Sequence, residues 1–227
     1  MKRILLDCFI LTIFLLTLSF SFLPKLLHEV LGLLLPIAVV LHLVWNRSWF
    51  SALRRGKWTW LRSLQTVCNA LLIVGLFIVL GTGVCLSNHL FKDMIPLYLQ
   101  RNMTLHQLHV SLPYGMLLLV GLHLGLHWHG WWERFLQKMG WQRSTWRYRA
   151  ACLVAVLGLL GSGIYGSFLN RVGDRLLMKH IFATEATKEP FAVFFLLLLG
   201  IMALYAVVGF YARQFICKKE FERKGIF

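Results

Sequence analysis

The sequence predicts an all-α fold, a polytopic membrane bundle of six transmembrane helices. Hydrophobic residues make up 58% of the 227 positions, and the mean hydropathy is +0.67. No long polar section is present that could fold separately. About 20 apolar residues cross the hydrocarbon core of a bilayer, and six such runs occur, at residues 4–22, 26–45, 67–86, 105–128, 150–169 and 191–212.

Basic residues predict the orientation of this bundle. If the N-terminus is inside, 17 of the 24 Lys and Arg residues fall on the inner side and 7 on the outer side. By the positive-inside rule, both termini are expected to be cytoplasmic. The net charge of +15 is then spread over alternate loops rather than gathered on one soluble face. We therefore expect membrane lipid, and no nucleic acid, as a partner.

The first run also has the layout of a secretory signal peptide, since a short basic start precedes its apolar stretch. We predict that it is retained as a helix. Its apolar stretch is longer than a typical signal core, and its one small-x-small site, at residues 19–21, is flanked by bulky residues. Cleavage would leave five spans with the same orientation.

Histidines recur at one interval in the second and fourth runs. His28 and His42 are fourteen positions apart, and so are His109 and His123. Fourteen residues are two heptads, so in a left-handed bundle each pair lies on one helix face, about 21 Å apart along the axis. Both runs are predicted to pass from outside to inside, which brings His28 level with His109 and His42 level with His123. The sequence therefore predicts two stacked pairs of histidines.

A pair of facing imidazoles is the ligand set of a bis-histidine haem. Histidine alone in lipid is costly and usually marks function, whereas an apolar macrocycle suits a bundle interior. We predict that two haems b are held through their iron by His28, His42, His109 and His123. No CxxCH motif is present for covalent attachment. Glycines on the same helices are expected to leave room for the flat rings: Gly32, Gly115, Gly121 and Gly125.

Two further histidines are substitute ligands in this interpretation. His106 precedes His109 by about one helical turn, and His127 follows His123 by about one turn. A single intramembrane histidine is often only an interhelical hydrogen-bonding group, and the matched spacing is what distinguishes the four principal ones. A quinone is a further cofactor that the interpretation admits, although no residue pattern identifies its pocket.

The fifth and sixth runs carry no histidine and are predicted to form a separate hairpin. A Gly-x-Gly triplet recurs near the outer ends of the third and fifth runs, at residues 81–83 and 161–163, which indicates a repeated helical hairpin. Small residues of this kind permit close helix packing in membranes. We divide the chain into a four-helix di-haem cytochrome core, residues 1–149, and a C-terminal transmembrane hairpin, residues 150–227.

Two segments carry a family resemblance: LLHEVLGLLLPIAVVLHLVWNRSWF, at residues 26–50, and TLHQLHVSLPYGMLLLVGLHLGLHWHG, at residues 104–130. They resemble the flavinylation-associated cytochrome family, bacterial membrane di-haem b-type proteins. The similar motifs are His-Glu-x-x-Gly, His-x-x-x-Asn-x-x-Trp and His-Leu-Gly-Leu-His-Trp, at residues 28–32, 42–49 and 123–128. The paired histidines are also similar to those of cytochrome b and ferric-reductase-type membrane domains.

The resemblance implies an electron conduit in the bacterial cytoplasmic (inner) membrane. Electrons would enter from a membrane quinol or a cytoplasmic donor and leave to an extracytosolic acceptor, such as a covalently flavinylated FMN-binding protein. The loops are too short to form a flavin or nicotinamide domain. The chain is therefore expected to be a partner-dependent electron-transfer subunit of a membrane oxidoreductase.

Two other classes of protein compete with this interpretation. A transporter could relay protons or metal ions through intramembrane histidines, with Asp7 and Glu29 as its plausible buried acids. An integral metalloenzyme would need three or four ligands at one depth. Two pairs of histidines on the fourth run, each about one helical turn apart, could supply part of that ligand set. They are His106 with His109 and His123 with His127.

Overall fold

A computed structural model of the protein describes residues 2–55, 58–139, 146–179 and 182–223. Within these ranges the chain is all-helical, without strands, and forms nine α-helices and two short 3-10 helices, Phe20–Phe22 and Glu185–Lys188. The α-helices are α1 Lys2–Leu18, α2 Lys25–Trp45, α3 Ser48–Leu53, α4 Trp60–Cys85, α5 Leu97–Gln100, α6 Met103–Met139, α7 Trp146–Leu169, α8 Val172–Leu176 and α9 Phe191–Arg223.

Five of the helices in the described part are long and apolar enough to cross a membrane. They are α2, α4 and the apolar parts of α6, α7 and α9, namely Met103–Trp128, Ala150–Leu169 and Phe191–Glu220. The prediction of a helical, multi-pass membrane protein is thus confirmed. α1 has 17 residues, about 25 Å of helix at 1.5 Å per residue, which is shorter than a hydrocarbon core of about 30 Å. A sixth span and the cytoplasmic location of both termini stay predictions.

Several helices run beyond the predicted apolar runs. α4 begins at Trp60 rather than at residue 67, because the Thr59 side chain accepts a hydrogen bond from the Arg62 backbone N–H and caps the helix there. α6 and α9 continue past the predicted ends at residues 128 and 212. The predicted runs end where apolar residues end, whereas helical backbone continues as long as its own hydrogen bonds can form.

α6 occupies the centre of the bundle. It packs against α4 on one side and α9 on the other, while α9 also packs against α7 and α1 packs against α2. Fully buried side chains come from α1, α6 and α9, among them Leu15, Leu117, Phe194 and Leu198. Residues on both sides of the predicted division at 149/150 therefore contribute to one apolar core.

The contact between α6 and α9 depends on glycine. A methyl group placed on Gly121 or Gly125 would meet the α9 backbone at Met202 or Ala206, and one on Gly209 would meet the α6 backbone. Two helix backbones come this close only where no Cβ stands between them. The crossing therefore fixes α6 against α9 at main-chain contact.

This packing corrects an expectation from the sequence. Gly121 and Gly125 were expected to leave room for flat rings, and that expectation is wrong, because α9 fills the space at both positions. Gly115 contacts Leu176 of α8, whereas Gly32 has open space beside it.

Gly125→Ala is expected to destabilise the bundle, because the new methyl group overlaps the α9 backbone and overpacking of this kind costs about 1–3 kcal/mol. Gly158→Ala is the matched control, since Gly158 on α7 faces open space and alanine is the better helix former at both positions. Thermal unfolding in detergent, followed by circular dichroism, measures the two variants. An unchanged Tm for Gly125→Ala would contradict the close crossing.

Candidate functional site

A cavity of about 930 Å³ lies between α1, α2, α4 and α6, with one contact from α9. Its lining comes from residues 2–14 of α1, 35–43 of α2, 69–76 of α4 and 116–128 of α6. In the predicted orientation these segments extend from the middle of the bundle to its inner end. The walls are mostly aliphatic side chains, such as Leu35, Ile73 and Val120. The volume lies near the upper end of the range of about 300–1,000 Å³ seen for ligand pockets, so the cavity suits a bulky apolar ligand.

Three histidines line this cavity. His42 comes from α2, and His123 and His127 come from successive turns of α6. The rings of His123 and His127 have their centroids 4.7 Å apart. Two helices that are distant in sequence thus present imidazoles to one space.

Two of these rings have one nitrogen occupied by a partner from another helix. Nδ1 of His42 is 2.8 Å from Oδ1 of Asp7 on α1, and Nδ1 of His123 is 2.8 Å from Oδ1 of Asn69 on α4. A carboxylate oxygen and an amide oxygen only accept hydrogen bonds, so Nδ1 carries the proton in both rings. When such a ring is neutral, its Nε2 has a free lone pair. This tautomer is the one that binds a metal ion through Nε2.

A second pair of histidines lies toward the predicted outer end. The rings of His28 on α2 and His109 on α6 have centroids 6.2 Å apart and planes inclined by 84°. A metal ion between two imidazoles separates their centroids by about 6 Å, from two metal–nitrogen bonds of about 2 Å and two ring radii of about 1 Å. The centroid separation of this pair is close to that value.

The Gly-x-Gly triplet of α4 forms a seat for His109. Nδ1 of His109 is 3.1 Å from the Thr82 hydroxyl oxygen and 3.1 Å from the Val79 carbonyl oxygen. A Cβ on Gly83 would stand 2.9 Å from Cε1 of the ring, so only glycine admits the imidazole here. The equivalent triplet of α7 has another role, because Gly163 packs directly on Gly200 of α9.

His28 differs from the other three principal histidines. Its Nδ1 is buried and makes no hydrogen bond of normal geometry within the described part of the chain. The ring packs edge-on against Phe20, with centroids 5.0 Å apart. Its orientation is therefore held by packing, with the Thr17 backbone as a nearby polar neighbour.

Glu29 is occupied by a structural role. Its carboxylate accepts hydrogen bonds from the Ser87 hydroxyl at 2.8 Å and from the backbone N–H groups of Asn88 and Leu90, each at 2.9 Å. These donors begin the loop that follows α4. Glu29 thus ties the outer end of α2 to that loop.

The substitute ligands have different surroundings. His106 is exposed on α6. Nε2 of His127 is buried and has no hydrogen-bond partner among the described residues. His127 also lies on the cavity, so it is the better placed of the two.

Several residues of the site were missed by the sequence reasoning or given another role. Asp7 was considered only as an acid for a rival transporter, Thr82 only as the middle residue of the Gly-x-Gly triplet, and Asn69 not at all. Lys2 and Arg3, at the start of α1, line the cavity and supply cations there. Asn69 and Thr82 could have been found in the sequence because they are polar residues inside apolar runs. Such residues usually have a partner or a function.

Asn46 and Trp49 also line the cavity, beside His42. The Asn46 amide donates to the His42 carbonyl oxygen at 2.8 Å and closes the end of α2. All three residues belong to one of the motifs on which the family resemblance depends. That motif therefore lies on the cavity wall.

The helices and the cavity define a multi-pass helical membrane protein with paired intramembrane histidines. Within the described residues, no three or more His, Cys, Asp or Glu side chains converge on one point as a metal cluster would require. Comparisons with family models, with curated proteins and with solved structures give no match.

Glu29→Ala is expected to destabilise the outer end of α2, because three hydrogen-bond donors lose their charged acceptor. A hydrogen bond to a charged group contributes about 1.5–3 kcal/mol to stability. Amide hydrogen exchange should accelerate at Asn88 and Leu90. Glu185→Ala is the control, since its exposed pair with Lys188 belongs to a class that contributes about 0–1 kcal/mol. Equal effects of the two substitutions would remove the structural role from Glu29.

Proposed function

We propose that the chain is a membrane b-type cytochrome that carries electrons across the membrane through two stacked bis-histidine haems. The observation that carries the proposal is the inner site. There, His42 and His123 come from two different helices and line one large apolar cavity, and the Nδ1 of each is hydrogen-bonded to a neighbouring helix. A haem bound there would supply one-electron redox chemistry.

At the inner site the chain supplies ligands, walls and countercharge. His42 and His123 are the proposed axial ligands, oriented by Asp7 and Asn69. Apolar side chains form most of the wall of this space. The cations on the lining, Lys2 and Arg3, fit the acidic groups that haem carries at one edge.

At the outer site His28 and His109 are the proposed ligands. Support comes from the 6.2 Å separation of their rings and from the seat that Thr82 and Gly83 provide for His109. The two sites are about 21 Å apart along α2 and α6 at 1.5 Å per residue. With this separation, one proposed site would lie near each face of the membrane.

The partners and the location of the chain follow from the resemblance. We propose a quinol or a cytoplasmic protein as the electron donor. We propose an extracytosolic protein, such as a flavinylated one, as the electron acceptor. The proposed location is the bacterial cytoplasmic membrane. The loops between the described helices are short, which agrees with a subunit that depends on partners.

A proton- or metal-relaying transporter is the second candidate function. The hydrogen bond between His42 and Asp7 favours it, because a histidine next to a carboxylate beside a cavity is suited to passing a proton. Glu29, the other acid that a relay would use, is held instead by three donors. Haem content separates the two candidates.

Purified protein, expressed with ample haem, is expected to bind two haems b per chain. Reduced-minus-oxidised spectra and a pyridine haemochrome assay give the count. His42→Ala should remove chiefly the inner haem and His109→Ala chiefly the outer one, because each variant takes away one of two ligands. His106→Ala is the control and should keep both. A colourless wild-type protein would contradict the proposal and favour the transporter.

Gly83→Ala is expected to lower occupancy of the outer haem several-fold, because its methyl group would press on the His109 ring. The matched control is Gly81→Ala, two residues away, where a Cβ meets nothing within 4 Å. Haem per chain is measured by the same assay. Full haem content in Gly83→Ala would show that His109 does not need this seat.

A further inference from the structure

The four proposed ligands differ in what their second ring nitrogen contacts. His42 donates to the carboxylate of Asp7, and His123 donates to the neutral amide of Asn69. His109 has the Val79 carbonyl and the Thr82 hydroxyl as neighbours. Nδ1 of His28 is buried without a hydrogen-bond partner in the described part of the chain. One anionic partner is therefore present at the inner site, and uncharged groups or none contact the outer ligands.

We propose that Asp7 is a positioning residue that acts through His42 to give the inner haem a lower reduction potential than the outer haem. Electrons then move spontaneously from the inner site to the outer site. This inference rests on the proposed function. It adds a residue that sets the driving force for the outward electron flow that the resemblance implies.

The physical cause is the charge on the hydrogen-bond acceptor. A carboxylate that accepts the Nδ1 proton draws that proton toward itself and makes Nε2 a stronger base. A more basic axial ligand stabilises ferric iron over ferrous iron, because the oxidised state carries the larger positive charge. Hydrogen bonding to ligands is one of the means by which proteins set haem potentials. A neutral acceptor such as the Val79 carbonyl has a smaller effect in the same direction.

Other charged groups lie near the two sites, among them Arg213 of α9, whose guanidinium donates to the Leu126 carbonyl oxygen at 3.2 Å. Lys2 and Arg3 also line the inner cavity and would raise its potential. Both are exposed, so water and salt screen them, whereas Asp7 contacts the ligand directly at 2.8 Å. Glu29 adjoins His28 in sequence, but its carboxylate is hydrogen-bonded to three donors of the α4 loop. The direct contact of Asp7 therefore dominates the difference between the sites.

Asp7→Asn and Asn69→Asp are the two test variants. Both are nearly isosteric, and each retains a side-chain oxygen that can accept the Nδ1 proton. Asp7→Asn removes the negative charge from His42, so the midpoint potential of the inner haem should become more positive. Asn69→Asp adds a negative charge next to His123, so the midpoint potential of the inner haem should become more negative. The outer haem should shift far less in either variant.

Redox potentiometry on the purified full-length protein measures these shifts, with haem content determined on the same samples. His109→Ala, which keeps the inner haem, and His42→Ala, which keeps the outer one, assign each midpoint to its site. We expect the lower midpoint to be absent from His42→Ala and present in His109→Ala.

Three results would overturn the inference and leave the proposed function in place. They are an unshifted inner midpoint in an Asp7→Asn protein that retains two haems, an equal shift of both haems, and assignment of the lower midpoint to the outer site. A purely structural tie between α1 and α2 would change stability or haem content without opposite shifts in the two variants. Absence of haem from the wild-type protein would remove both the inference and the function on which it rests.

Discussion

Burying an imidazole in a lipid-embedded bundle leaves two ring nitrogens to satisfy, and this constraint organises the molecule around α2 and α6. An unpaired polar group in an apolar interior costs several kcal/mol at worst, and about 1–3 kcal/mol by mutational measures. For His42, His109 and His123 the structure meets half of that requirement with polar groups from α1 and α4. His42 and His123 also line the large apolar cavity. The packing of α1 and α4 thus bears directly on which chemistry the histidines can perform.

The arrangement of helices serves the same constraint. α1 closes the cavity and carries Asp7, α4 carries Asn69 and the seat for His109, and α9 holds α6 from behind. Two of the largest fully buried side chains, Phe194 and Leu198, belong to α9 and lie in the same apolar core as Leu117 of α6. The last two spanning helices therefore stabilise the helix that carries half of the proposed ligands, although they contain no histidine themselves.

The sequence was sufficient for the helices and for the proximity of His28 and His109, because helical periodicity converts a fixed interval into a fixed position on a face. It was not sufficient for the polar partners. Asp7 and Asn69 are on helices whose neighbours depend on packing between apolar surfaces, and the spacing of residues within one helix does not encode that packing. Gly121 and Gly125 were misread for a related reason: a glycine that leaves room for a ligand and one that admits another helix look alike in sequence. Residues 191–212 of α9 are apolar on all sides, so no stripe indicated which helix α9 would contact.

The glycine crossing of α6 and α9 also limits how far the site can relax. Main chain lies against main chain at Gly121, Gly125 and Gly209, so α6 cannot slide or rotate without a collision of backbone atoms, which are far stiffer than side chains. A redox centre exchanges electrons fastest when its surroundings rearrange least as its charge changes. Because the crossing holds the backbone of α6 in place, it would keep the reorganisation energy of any such centre small. The rate of electron transfer would then depend on distance and driving force.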